Sequence, residues 1–533
     1  MINKILFYIV VFSLFSLAQE DKKQDQNVEL PDFVITGNES VSIEKAKKIQ
    51  ADFGSAISEE FLKPPFPADK LELRNFNNPI KENINLRDSV RYLKGRINAA
   101  LGLYSIPEGD VLFTNPFIGG IFEWFASTDN QKAFISNSDK YDLAGGLNLS
   151  LYRSNSNSFL PGTEIKFHGN YNLNSYKFYG STVNPFQRRI LNGGDVSLNV
   201  NNYLNDYFVF AASLDNEFNS LKNENYSENF LKFNGFGKIA LSAFNLSFDL
   251  IYKKQYITNI TPNTSQNGFV GILPRIGLNI SEVLKVEFGM NYSQYFSNNY
   301  FTPFASMALK LGNSISLLGE FKPHADLLSS SSFLKDNPYI NSQSFNTSYV
   351  RYNNALKIAM KYEYEKYFQI NAGIKALSST EMPYFKTSTT SGQFDLAYDD
   401  IRIFTAFTDM LFHLGPYGYF YGNVELTGTN DTAGYKMPYM PASTASLIYG
   451  YNLSMIKLDS EIRLNYSSGV YTDIPNSTQL GNRIDLGLKL TYQYKPMFFF
   501  TLEFSNLLFK DNYKWAGYQE MPFNAIAGIS IVW

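Results

Sequence analysis

The chain has 533 residues, a formal net charge of -3 and no cysteine. That charge gives no general attraction to nucleic acid, and the missing thiols remove disulfides, thiolate nucleophiles and cysteine-based metal centres. Aromatic side chains make up 16% of the residues while mean hydropathy stays slightly below zero, so apolar surface must alternate with polar surface.

The first residues read as an export signal: Lys4 is the cationic start, Ile5 to Phe15 the apolar core, and Ser16-Leu17-Ala18 a small-x-small cleavage site. An uncleaved anchor is the alternative. No lipoprotein cysteine follows the cut. Beyond residue 20 no apolar run reaches the roughly eighteen residues that a spanning helix needs, which leaves a closed sheet as the way to cross a membrane.

Residues 19 to 94 are polar, and Pro64-Pro65-Phe66-Pro67 favours extended chain there. A short helix fits 43 to 53. One apolar patch interrupts the stretch: Leu30, Pro31, Asp32, Phe33, Val34, Ile35, Thr36 and Gly37. An exposed, extended, β-branched segment on a polar tail suits strand addition to the sheet edge of a partner protein. An ordinary N-terminal strand of this chain is the other reading.

From residue 95 to 533 the pattern has period two. Leu246, Phe248, Leu250 and Tyr252 form one oily face, as do Leu356, Ile358, Met360 and Tyr362, and Ile456, Leu458, Ile462 and Leu464 against Lys457, Asp459, Glu461 and Arg463. A soluble sandwich also alternates. These segments run roughly nine to twelve residues, however, the length a tilted strand needs to cross the hydrocarbon layer. The fold class is therefore all-β, a transmembrane antiparallel β-barrel facing outer-membrane lipid.

Connections alternate between short links, near 242, 281, 312, 365, 455 and 495, and long polar ones near 255 to 268, 324 to 346, 379 to 394, 427 to 440, 467 to 480 and 510 to 520. Short turns belong on the periplasmic side and long loops outside. Segment counting gives about twenty-one, and an even number is required, so an extra strand is placed over Ser175 to Thr182 to make about twenty-two, with twenty as the alternative. In the last strand Phe523, Ala525, Ala527, Ile529, Ile531 and Trp533 share one apolar face. That face resembles the signal read by the outer-membrane assembly machinery.

Glu29 to Gly37 resembles the TonB box of TonB-dependent receptors, and Trp515 through Pro522 to Trp533 resembles their closing strands, although Met521-Pro522-Phe523 stands where that family usually has a Pro-Gly-Arg turn. The resemblance implies a twenty-two-stranded barrel that works as a transporter or receptor component, with TonB or another periplasmic protein as partner of the N-terminal segment. One departure is clear: family members carry a folded plug between box and barrel, and Asn38 to Lys94 is too short for it. Inward loops, that segment or a second protein would have to fill the bore. A passive porin-like channel and a non-conducting docking barrel are the rival readings.

The three histidines, His168, His324 and His413, form no metal-binding spacing. Gly235 to Ala240 mimics a dinucleotide fingerprint but lies in a strand-like stretch. Asp399 and Asp400 read as acids at a hairpin end. With no Gly-x-Ser-x-Gly motif, the expectation is no catalytic, cofactor-binding or metal site, and not an enzyme. Tyr300, Tyr339, Tyr384 and Tyr435 fall on the expected outer loops, where they either stack on sugars or edge the membrane.

Overall fold

The computed structural model describes residues 94–153, 161–202, 208–241, 244–258, 266–281, 283–312, 314–346, 348–364 and 367–533. The export signal, the helix at 43 to 53, the Leu30 to Gly37 patch and the segment expected to occupy the bore before Lys94 lie outside them. Strand β1 is Gly95–Gly102, β2 Ser105–Phe117, β5 Glu164–Lys177, β6 Arg188–Asn202, β8 Tyr226–Leu241, β9 Phe244–Thr258, β11 Leu284–Tyr295 and β12 Asn298–Leu311. Strand β13 is broken into Ile315–Phe321 and His324–Leu328, both antiparallel to β14, Ser348–Tyr364. Then come β15, Phe368–Thr387, and β16, Phe394–His413, and the last strand is β22, Asn524–Val532. Each strand pairs with its neighbours in sequence and β22 pairs with β1, so the sheet is a closed antiparallel barrel of 22 strands.

Strand β9 shows why the chain folds this way. Its even residues Phe244, Leu246, Phe248, Tyr252 and Tyr256 are exposed on the outer wall, while Asn245, Ser247, Lys253 and Gln255 are buried. Exposing a belt of large apolar side chains in this way suits lipid and not water, and the polar alternates line the inside. The same phase puts Phe288, Met290, Ile358, Met360 and Ile462 outward. Hydrocarbon takes the oily face and the barrel interior the polar one.

One rim carries two-residue links at 118–119 and 496–497. The opposite, outer rim carries the long connections 178–187, 329–347, 432–442, 468–482 and 506–523, as expected, but also the two-residue turns 103–104 and 296–297. Two expectations need correction. Ser175 to Thr182 is no separate strand: Ser175, Tyr176 and Lys177 complete β5, and Phe178 begins the outer loop. The expected loop 379 to 394 is mostly strand, because β15 and β16 are 20 residues each and rise past the membrane, leaving only 388–393 as the turn.

At the seam, Trp533 N donates to Gly95 O (3.0 Å), and Trp533 O accepts from the amides of Lys94 (2.8 Å) and Gly95 (3.0 Å). The indole lies where a Cβ on Gly95 would sit. Gly95→Leu is therefore expected to pry Trp533 off β1 and to cost about 1–3 kcal/mol by overpacking. A lowered thermal midpoint of the detergent-solubilised barrel is the check.

Candidate functional site

Pro323 starts the construction of the site. It has no N–H for the ladder, so pairing between β12 and β13 stops at Ala305 with Phe321. Its carbonyl is held by Asn291 Nδ2 (3.0 Å) and Thr302 Oγ1 (2.7 Å). Beyond it His324–Leu328 turns inward: Lys253 Nζ of β9 donates to Asp326 Oδ1 (2.5 Å) and Leu327 O (3.0 Å). Four strand spacings of about 4.8 Å separate β9 from β13 along the wall, so these contacts are possible only through the interior. Ala325 and Leu327 of the inturned piece pack among Phe230, Phe269 and Tyr349.

The chain then forms a short helix, α1, Ser330–Asp336. Its N-cap Ser329 makes no side-chain cap bond. Glu228, buried on β8, does the capping from the wall: its carboxylate accepts from the amides of Ser330 (2.9 Å) and Ser331 (3.0 Å) and from Gln255 Nε2 (2.6 Å). A negative group here satisfies two orphan donors and meets the positive end of the helix. Glu228→Ala is expected to ease opening of α1 by about 2 kcal/mol, roughly thirtyfold. Hydrogen exchange of the Ser330 and Ser331 amides reads it.

From α1 the loop 329–347 crosses to the far wall. Phe333, Leu334, Ile340 and Phe345 bury against Leu191, Leu221, Tyr226 and Ile257, the outer ends of the β6 to β9 wall. The anchor is Arg189, 1% exposed, whose fork pairs with Glu224 (2.5 and 2.8 Å) and whose Nη1 donates to Pro338 O (2.8 Å) and Ile340 O (2.7 Å). Tyr176 Oη adds a bond to Pro338 O at 2.6 Å. This planar, fully committed cation latches the loop to the wall.

Above the latch, loops from around the rim meet in one aromatic cluster. Tyr339 stacks on Tyr518 (centroids 3.5 Å, 15°), Tyr179 meets Tyr518 edge-on at 4.9 Å, and Trp515 packs against Tyr439 at 4.8 Å and Phe394 at 5.2 Å. Tyr179 Oη donates to Gln519 O (2.7 Å), Tyr518 Oη to Gly392 O (2.5 Å), and Thr182 Oγ1 lies 2.8 Å from Ser391 Oγ. Burial pushes the phenols of Tyr179, Tyr339 and Tyr518 upward, so they stay neutral through the physiological range. These connections, 178–187, 329–347, 388–393, 432–442 and 506–523, form a lid over the outer mouth, dry at its centre.

Sequence reasoning did not assemble this lid. Tyr339 is half-buried in the aromatic cluster, Tyr384 lies on strand β15, buried against Ile401 and Met437, and Tyr300 lies on strand β12, donating to Asn353 Oδ1, so of the four only Tyr435 is an exposed loop residue. His168 lies on the inner wall between Asn148 (2.5 Å) and Asp195 (3.2 Å). Among the described residues no three metal-ligating side chains gather. Asp399 and Asp400 lie within β16 opposite a bulge, not at a hairpin end, and Asp400 accepts from the Glu381 amide. In β22, Ile529 and Trp533 are exposed on the outer wall and Ile531 is half-buried, while Phe523 stacks on Phe509 at 4.9 Å.

No family model matches the chain, and no curated protein matches it. Solved structures do. A ferric enterobactin receptor (PfeA) mutant from Pseudomonas aeruginosa superposes with a TM-score of 0.59 at 8% identity, over 82% of this chain and 80% of that one. The siderophore receptor PirA from Acinetobacter baumannii gives 0.61 at 9%, over 82% and 80%. The copper transporter OprC gives 0.60 at 10%, over 83% and 80%. The likeness is one of fold: these receptors and this transporter share the closed antiparallel barrel seen here.

Proposed function

We propose that the chain is an outer-membrane transporter or receptor component, not an enzyme, whose outer mouth is opened and closed by the loop lid and whose N-terminal segment couples it to TonB or another periplasmic protein. The observation that carries this reading is the lid itself: a latched aromatic closure over a barrel of a fold used by siderophore receptors and a copper transporter. A barrel built for passive flow has no use for a buried Arg–Glu latch at its entrance. In this division, residues 1–18 export the chain, 19–94 form the periplasmic or lumenal segment and 95–533 the barrel. Phe523, Ile529, Ile531 and Trp533 then guide its insertion by the assembly machinery.

Leu30 to Gly37 is the coupling element, adding a strand to the partner's sheet edge. Deleting residues 29 to 37 is expected to abolish capture of the purified TonB C-terminal domain while leaving the barrel's thermal midpoint unchanged. Unchanged capture would remove the coupling from the proposal. A steady conductance of the intact purified chain in planar bilayers would replace the whole reading with a passive channel.

A further inference from the structure

The break in β13 leaves a gap in the wall as well as a lid. Below Phe321 the strand pairs with β12, but above it Asn298 to Phe304 of β12 have no strand partner on that side among the described residues. The next full strand there is β14, which Tyr300 reaches, its Oη donating to Asn353 Oδ1 at 3.2 Å and to Tyr352 O at 3.4 Å. The result is a notch at the outer rim holding a cavity of about 350 Å³, lined by Ser297, Asn298, Asn299, Tyr349, Arg351 and Glu381. That volume is within the range of small-molecule sites.

We propose that this notch is a binding site for a neutral saccharide, a site that needs neither the lid nor the periplasmic coupling to act. Three of the lining side chains carry planar forks, the guanidinium of Arg351, the carboxylate of Glu381 and the carboxamide of Asn298, while the neighbouring Asn299 faces the other side of β12, where its Oδ1 accepts from Tyr292 Oη at 3.1 Å. Such forks match the adjacent hydroxyl pairs of a sugar ring, donors and acceptors both being supplied. The single cation and single anion cancel, which favours a ligand without net charge. Among the described residues neither Arg351 nor Glu381 is committed to an ion pair.

A second observation points the same way. Tyr349 is 7% exposed, and its hydroxyl has no hydrogen-bond partner among the described residues. A buried hydroxyl without a partner is uncommon in a folded protein, and one at the edge of the notch calls for a partner that the described residues do not supply. Its ring is stacked on Tyr295 (4.5 Å, 11°), so the phenol is held in place before any ligand arrives. Glu381 is fixed too: it sits in a bulge of β15 with φ +58, and its amide is bound by Asp400 Oδ1 at 3.1 Å. Non-glycine residues in that region of backbone space, and bulges in general, gather at functional positions.

The test is calorimetric titration of the detergent-solubilised full chain with cellobiose, maltotriose and chitobiose, with alanine as a zwitterion and sulfate as an anion for comparison. Saturable binding of at least one sugar is expected, weakened tenfold or more by Arg351→Ala and by Glu381→Gln. Tyr349→Phe removes only the unpartnered hydroxyl, and with it binding is expected to weaken several-fold while the thermal midpoint holds or rises. Three outcomes overturn the proposal: no heat with any of the three sugars, binding indifferent to all three substitutions, or displacement of the sugar by alanine or sulfate. The chain lacking residues 29 to 37 is expected to bind the sugar as the intact chain does, so failure of the coupling and failure of the site are read separately.

Discussion

Arg189→Met is expected to release the lid from the wall and leave the 22 strands standing. The guanidinium is 1% exposed and bonds at once to Glu224, Pro338 O and Ile340 O. For the loop 329–347, the substitution removes two hydrogen bonds from a charged donor, worth about 1.5–3 kcal/mol each. The Glu224 charge left behind belongs to the wall turn 222–225, so its cost falls on the barrel and lowers the thermal midpoint somewhat. Opening of the loop is expected to rise by two to three orders of magnitude. Limited proteolysis well below the thermal midpoint reads it, as rapid cleavage within the loop while the barrel stays folded. Arg189→Lys keeps the charge without the fork and is expected to restore only part of the protection. Cleavage of the methionine variant at the parent rate would mean that the apolar contacts of Phe333, Ile340 and Phe345 hold the lid unaided.

The barrel was legible because lipid imposes a simple rule on it. Phe244, Leu246, Phe248 and Tyr252 all face hydrocarbon, and in β9 the phase is broken only near the outer end, by Ile251 and Ile257 on the inner face and Lys254 on the outer one. Ile257 is apolar on the wet side, as are Leu191, Leu221 and Phe230, and each is buried beneath the lid or the inturned half of β13. Such residues look like errors of phase when only local pattern is read. They are the wall's half of a contact whose other half lies far along the chain. The misplaced strand at Ser175 to Thr182 has the same cause: Tyr176 and Phe178 alternate like a lipid-facing pair, yet they are 5% and 1% exposed and pack inward on Tyr339.

The lid's own helix was hidden for a related reason. Ser329 to Ser332 carries no apolar period, and Ser329 caps nothing with its side chain. The cap comes from Glu228, about a hundred residues earlier in the chain and on another strand. Helix signals in sequence depend on local capping and periodicity, and neither operates here. Alternation of short and long connections, by contrast, is a global constraint, and it assigned the stretches 324 to 346 and 510 to 520 to the outer rim before any contact between them was visible.

Thr182→Cys with Ser391→Cys is expected to lock the mouth shut under oxidising conditions. The two hydroxyls are 2.8 Å apart, and the Thr182 amide also donates to Ser391 Oγ at 2.9 Å, so the side chains already converge at disulfide range. They join the loops 178–187 and 388–393, which lie far apart in sequence on different parts of the rim. The chain has no cysteine of its own, so the new pair has no competing partner. If substrate enters by separation of these loops, the oxidised variant is expected to lose uptake entirely, dithiothreitol is expected to restore it, and neither single substitution is expected to matter. The variant leaves the sequence of residues 29 to 37 unaltered, so if they take up a periplasmic partner as proposed, capture is expected to stay constant and to isolate the gate as the step affected. Full uptake by the oxidised protein, with the disulfide verified by a mobility shift, would mean that substrate enters by a path leaving these two loops together.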